Sequence, residues 1–121
     1  MTERQERGAL GEQAAVDYLR QNGFMIVERN WRVGRSEVDI IASRYDELHF
    51  VEVKTRKAGS MIAPEGAITE QKMRAMRRAA SAYMAQRHIN LEPHFSLIAI
   101  DVVGSSVVSL RFVDNALQYN W

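Results

Sequence analysis

Two apolar runs, EVDIIAS (37–43) and ELHFVEVKTR (47–56), are separated by only three residues. That gap admits a tight turn and little else, so the runs read as neighbouring antiparallel strands. Charge inside them narrows the choice further. Glu37, Asp39, Glu52 and Lys54 interrupt Ile40, Ile41, Phe50, Val51 and Val53. An ionised group among buried aliphatics is costly unless it is paired, hydrated or bound to a cation. With the turn centred on Tyr45 and Asp46, Asp39 lies opposite Glu52 and Glu37 opposite Lys54. Opposed Cβ atoms in a hairpin are ~4.5–5.5 Å apart. Alternation then gathers the four ionisable groups on one face and leaves Val38, Ile40, Val51 and Val53 to fill the other. The turn has no glycine, and a slip of one residue would carry Asp39 to the wrong side.

The rest of the chain supplies elements around this hairpin. Residues 3–22 have Leu10, Ala14, Ala15, Tyr18 and Leu19 at helical spacing, with Gly23 as the stop. FMIVERNWRV (24–33) reads as a strand punctuated by Gly34, and AGSMIAPEGA (58–67) as a loop. A second helix over Thr69–His88 fits Met73, Met76, Ala80, Tyr83 and Met84. Thr69 followed by Lys72 makes half a capping box. HFSLIAIDVV (94–103) and SVVSLRFV (106–113) read as strands joined at Gly104, and 114–117 as a short closing turn. The order αβββαββ predicts one α/β domain over 1–121, a mixed sheet of about five strands flanked by helices.

Length and composition exclude several classes. A chain of 121 residues with 46% hydrophobic content can build a core without staples. It has no cysteine, hence no disulfide framework or thiolate metal site. Its charged beginning, MTERQERGALGEQ, has no signal-peptide pattern, and no apolar run approaches the ~18 residues of a membrane span. The reading is cytoplasmic, with no membrane partner. Charge is unevenly spread: residues 54–88 hold eight Lys/Arg against two Glu, while the whole chain is only +1. Such a basic segment suits a phosphate-bearing partner, with a solvated helix face as the plainer explanation.

Two carboxylates at hairpin distance repel each other unless a cation lies between them. Mg²⁺ suits the pair, since it takes oxygen ligands and retains waters. Glu12 joins them from the first helix, where it projects inside the apolar arc between Val16 and Leu19, flanked by Gly8 and Gly11. The plain alternatives are a solvated helical glutamate, a turn aspartate and a cross-strand ion pair. His49, His88 and His94 have no metal-ligand spacing and read as surface or packing residues.

These words carry a resemblance. Asp39, then Glu52-Val53-Lys54 on a paired strand, behind a helix with Gly11-Glu12, resembles the PD-(D/E)xK nuclease superfamily. The chain is more closely similar to the small bacterial YraN family, itself similar to archaeal Holliday-junction resolvases. Matching words are Asn30-Trp31-Arg32, EVDIIA (37–42), FVEVKTR (50–56) and the helix from Lys72. Ser36, Arg44-Tyr45, Met73 and Ser96 depart from the family's usual residues. The resemblance implies a restriction-endonuclease-like core, with Asp39, Glu52 and Glu12 as ligands for Mg²⁺ or Mn²⁺. Lys54 would act on the attacking water, and Lys72 would stand beside the site. Arg56, Arg74, Arg77 and Arg78, with Lys72, are the candidate nucleic-acid contacts.

Three functions follow: a metal-dependent nuclease on structured or single-stranded DNA, a non-catalytic nucleic-acid-binding module, and a protein-interaction domain. A small nuclease that cuts both strands would need a homodimer.

Overall fold

The computed structural model describes residues 2–59 and 69–114. The expected order is present: α1 (Glu3–Gln21), β1 (Met25–Val33), β2 (Ser36–Arg44), β3 (Glu47–Lys57), α2 (Glu70–Arg87), β4 (Glu92–Val103) and β5 (Ser106–Val113). Both helices start where their sequence signals say. The Thr2 hydroxyl accepts from the Gln5 N–H, and the Gln5 side chain accepts from the Thr2 N–H, a full capping box. Thr69 accepts from the Lys72 N–H at 3.0 Å, and Lys72 has no acceptor to return the bond. Residues 60–67 of the expected loop and 115–117 of the closing turn lie outside the described residues.

The strands form one sheet in the order β1-β2-β3-β4-β5. Only β3 and β4 run parallel, because α2 crosses over between them; the other neighbours are antiparallel. The helices cover opposite faces. Met73, Met76, Ala79, Ala80 and Tyr83 of α2 pack with Val38, Ile41, Phe50 and Leu97. Ala15, Val16 and Leu19 of α1 pack with Ile40, Ala42, Val51, Ile98 and Ile100. The central strands are therefore buried on both sides, which is why β4 reads as an almost unbroken apolar run. The fold is an α/β sheet of the restriction-endonuclease-like kind.

The hairpin register is the expected one, from Arg44 opposite Glu47 to Ile40 opposite Val51. Its turn needs a left-handed residue, and Tyr45 supplies it at φ 57 in place of glycine. That conformation costs a residue with a Cβ ~1 kcal/mol. The Arg44 guanidinium stacks 4.1 Å from the Phe24 ring centre and 5.3 Å from that of Tyr45.

Beyond Ile40 and Val51 the two strands part. β2 continues along β1 to Ser36, and β3 continues along β4 to Lys57. The alternation slips at this fork. Val38 joins Ile41 in the α2-side core, whereas Ile40 stays on the α1 side with Val51 and Val53. The expectation that Val38 and Ile40 share a face is thus corrected. On β1, Asn30, between the paired Arg29 and Trp31, is in a left-handed conformation at φ 51.

Candidate functional site

Asp39 sits in the fork. With the ladder ended, the Val53 N–H has no carbonyl partner from β2, and the Asp39 carboxylate takes it instead at 2.8 Å. Burial, then the charge of Glu52, pushes the Asp39 carboxyl up to about 7; the Val53 N–H and Lys72 pull the other way. A carboxylate anchored by a backbone amide, yet reluctant to ionise, is short of positive charge.

Glu52 is 4% exposed. Lys54 Nζ lies 3.5 Å from one of its oxygens and Lys72 Nζ 3.1 Å from the other. The Lys72 contact attracts by charge but is out of line, so the buried Oε2 of Glu52 has no hydrogen bond. The Thr69 cap aims this contact, since it fixes where the first turn of α2 begins. Glu37 does not meet Lys54 as the cross-strand register suggests. It pairs with Arg32 on β1, because β2 has already left β3 at this level.

Glu12 reaches the same end of the sheet from α1. Its Oε1 accepts from Arg29 Nη2 at 3.1 Å, Arg29 Nε at 3.3 Å and Asn30 Nδ2 at 3.0 Å. Gly11 lets α1 come this close. A Cβ there would lie 1.8 Å from Thr55 Oγ1, so any side chain would force the helix off β3. Between α1 and the fork is a cleft of about 340 Å³, lined by Glu12, Asp39, Lys54, Arg4, Arg7 and Gly8 among others. Glu52 is not part of that lining; it stands behind, toward α2. Asp39 and Glu52 offer only oxygen, with one oxygen lacking any hydrogen bond, and this donor set fits a hard divalent cation such as Mg²⁺ or Mn²⁺.

Residues 11–104 match the family described as "Uncharacterised protein family UPF0102". The chain belongs to that family. A UPF0102 protein of Bacteroides thetaiotaomicron is 43% identical over 100 residues, 83% of each chain. One from Porphyromonas gingivalis is 41% identical over 83% of this chain and 74% of its own. One from Alkaliphilus oremlandii is 35% identical over 92% of this chain and 93% of its own.

In this UPF0102 chain the basic residues divide into two sets. Arg56 is engaged by Asp101 at 2.6 Å, and its hydrogen bond holds the Asp101 carboxyl below the ordinary value. Lys72 belongs to Glu52. Arg74, Arg77 and Arg78 are exposed on the outer side of α2, Arg74 also meeting Glu70 at 3.0 Å. No helix among the described residues is long and apolar enough to cross a membrane.

His88 is exposed and the other two histidines are packing residues, as expected, but these two also meet each other, which their spacing does not reveal. His49 and His94 are buried and directly paired across β3 and β4, with Glu47 and Asp114 beside them. One ligand atom from each of the four lies within 4.8 Å of the others, so the group could hold a metal ion. Burial pushes the His49 imidazole below its usual value, against the pull of Glu47 and Asp114. A signal for this cluster exists in the sequence. The word Glu-x-His-Phe occurs at 47–50 and again at 92–95. Spacing rules miss it because the two words meet only through parallel pairing.

Proposed function

We propose that this UPF0102 protein is a metal-dependent nuclease acting on structured or single-stranded DNA. One observation carries the reading: Asp39, anchored on the Val53 N–H where β2 and β3 part and lining the cleft, is pushed toward its neutral form by burial and the charge of Glu52, and so stands short of positive charge. Asp39 and Glu52 would hold Mg²⁺ or Mn²⁺, with Glu12 close by. Bound there, the ion supplies polarisation of a phosphate and a water of lowered pKa.

The chain's own residues do the rest. Lys54 lines the cleft and carries its ammonium beside Glu52, where it can orient a water and offset charge on a phosphate. Glu12 is committed to Arg29 and Asn30, so its part is to position β1 and α1 around the cleft. Arg4 and Arg7 bring positive charge to its rim. Arg74, Arg77 and Arg78 would hold backbone phosphates without reading bases.

A second reading, a non-catalytic nucleic-acid-binding module, is favoured by one fact. Two lysines already flank Glu52, a balance that can stand without metal. The test is incubation with branched, flapped, single-stranded and duplex DNA in Mg²⁺ and in Mn²⁺, with Asp39→Ala as control. Cleavage by the wild type that Asp39→Ala loses supports the nuclease. Salt-sensitive binding with no cleavage of any substrate replaces it with the binding module.

A further inference from the structure

The parallel register sets Glu47 against Glu92 and His49 against His94 at the start of β3 and β4. Both imidazoles leave the sheet on one side, with centroids 4.5 Å apart and planes 31° apart. His49 is 0% and His94 7% exposed, and Phe24 meets His49 edge-on at 4.9 Å. Two buried rings of this kind need an account of their protons.

Asp114, just past β5, accepts from His94 Nδ1 at 3.0 Å and from the Ser96 hydroxyl at 3.1 Å. An ionised carboxylate has no hydrogen to give, so His94 Nδ1 is the donor. The single hydroxyl hydrogen of Ser96 goes to Asp114, which leaves Ser96 Oγ to accept from His49 Nδ1 at 3.1 Å. In this arrangement both rings place Nδ1 on a hydrogen-bond acceptor and turn Nε2 the other way.

The two Nε2 atoms face a carboxylate. His49 Nε2 is 2.9 Å from Glu47 Oε1, and His94 Nε2 is 3.6 Å from Glu47 Oε2. The second distance is too long for a hydrogen bond, and His94 Nε2 is buried with no partner. Two imidazole nitrogens and a carboxylate converging on one point are a donor set that a cation can bind. Zinc ligands bind at ~2.0–2.1 Å in a tetrahedron, which separates ligand atoms by roughly 3.4 Å. The two observed separations bracket that value. Asp114 behind His94 has the second role such sites need, an acceptor that fixes the tautomer and turns Nε2 toward the metal.

We propose that His49, His94 and Glu47 form a second metal site, for a transition ion of the zinc class, with Asp114 as its outer carboxylate. Two imidazole nitrogens and one carboxylate select Zn²⁺ over Mg²⁺, which prefers oxygen alone. Glu92, exposed and 3.9 Å from His94 Nε2, is near enough to add a further oxygen. The rings are sealed in the core, so the ion's work is structural: it ties the starts of β3 and β4 to the end of β5. The site is independent of the fork and of any nuclease activity.

The experiment is a Co²⁺ titration of chelator-treated full-length protein, followed by visible absorption and run in the Glu52→Gln chain so that the fork does not compete. One equivalent of Co²⁺ should bind with a tetrahedral spectrum, yield to Zn²⁺ and ignore excess Mg²⁺. Zn²⁺ at a hundredfold excess over Kd should raise Tm by on the order of 10 °C. Asp114→Asn should weaken Zn²⁺ binding roughly 10–100-fold. His94→Gln should abolish uptake, and His88→Gln, at the exposed end of α2, should leave it unchanged. Absence of Co²⁺ uptake by the Glu52→Gln chain and by the wild type overturns the proposal without recourse to any histidine variant. Uptake that survives both His94→Gln and Asp114→Asn overturns it equally.

Discussion

Strand β3 carries a polar cluster at each end, and the two are built on opposite terms. At its start, His49 and His94 are buried, His49 edge-on to Phe24, and each ring has one nitrogen on a carboxylate, Glu47 for His49 and Asp114 for His94. At its far half, Asp39 and Lys54 line an open cleft with Glu52 behind them, and two lysines stand against Glu52. The difference follows from what the neighbouring strands do. Where β2, β3 and β4 are all paired, every backbone group is satisfied and side chains must find partners among themselves. Where β2 leaves β3, a backbone amide is freed, a carboxylate is drawn in to bind it, and solvent follows. A sealed end favours fixed geometry; a forked end favours exchange with a ligand.

The largest effect expected concerns chemistry at the fork. If the nuclease reading holds, Glu52→Gln and Lys54→Ala should each lower cleavage roughly 10²-fold or more, while metal-free DNA binding is kept. Glu52→Gln keeps the shape and removes the charge, so retained metal-dependent cleavage would move the active site elsewhere in the chain. Zn²⁺ uptake at the histidine end should be the same in both variants, and a parallel loss there would erase the contrast between the ends.

Next is the packing that holds α1 over the fork. Gly11→Ala places a Cβ 1.8 Å from Thr55 Oγ1 and should destabilise the fold by about 2–3 kcal/mol in urea denaturation. Gly8→Ala, with nothing within 4 Å, should stay close to wild type in the same assay. Equal losses at the two positions would mean that α1 does not rest on β3 as described.

Asp39 makes the fork pH-sensitive. Its folded pKa of about 7 stands above the ordinary 3.8, so the folded state holds a proton that the unfolded chain has released. Its contribution to stability is therefore full below about 3.8 and is lost as pH rises through about 7. In metal-free protein, Asp39→Asn should raise Tm by roughly 5 °C at pH 8 and change it little at pH 4. A variant less stable than wild type at pH 8 would show that the ionised form is favoured after all.

The smallest effect lies on the outer side of α2. Arg74→Ala with Arg78→Ala should weaken DNA binding about equally for all sequences and flatten the salt dependence by roughly 1–2 units. Unchanged affinity at low salt would mark this side as ordinary solvated surface.

Much of this molecule is legible in short words. The Thr69 cap, the Tyr45-Asp46 turn and the helical spacing of Met73, Met76 and Tyr83 each depend on residues a few positions apart. So does the opposition of the two hairpin strands, because a three-residue gap leaves a narrow choice of register. Val38 was misplaced for the converse reason. Period-2 alternation assumes an unbroken ladder, and nothing local announces that β2 will part from β3 at Asp39. The partner of Glu37 changed with it, from Lys54 to Arg32.

The residues of this chain by themselves determined the elements, their order and the family, since helix periodicity, strand alternation, caps and turns act within a few residues. Only the tertiary structure decided which distant groups meet. His49 and His94 are brought into register by the β3–β4 pairing, Lys72 reaches Glu52 across the crossover, and Asp114 arrives from the end of β5. Parallel pairing through α2 has no turn to set its register. The register is chosen by how two buried faces fill space, a sum over the whole core that no short stretch of sequence contains.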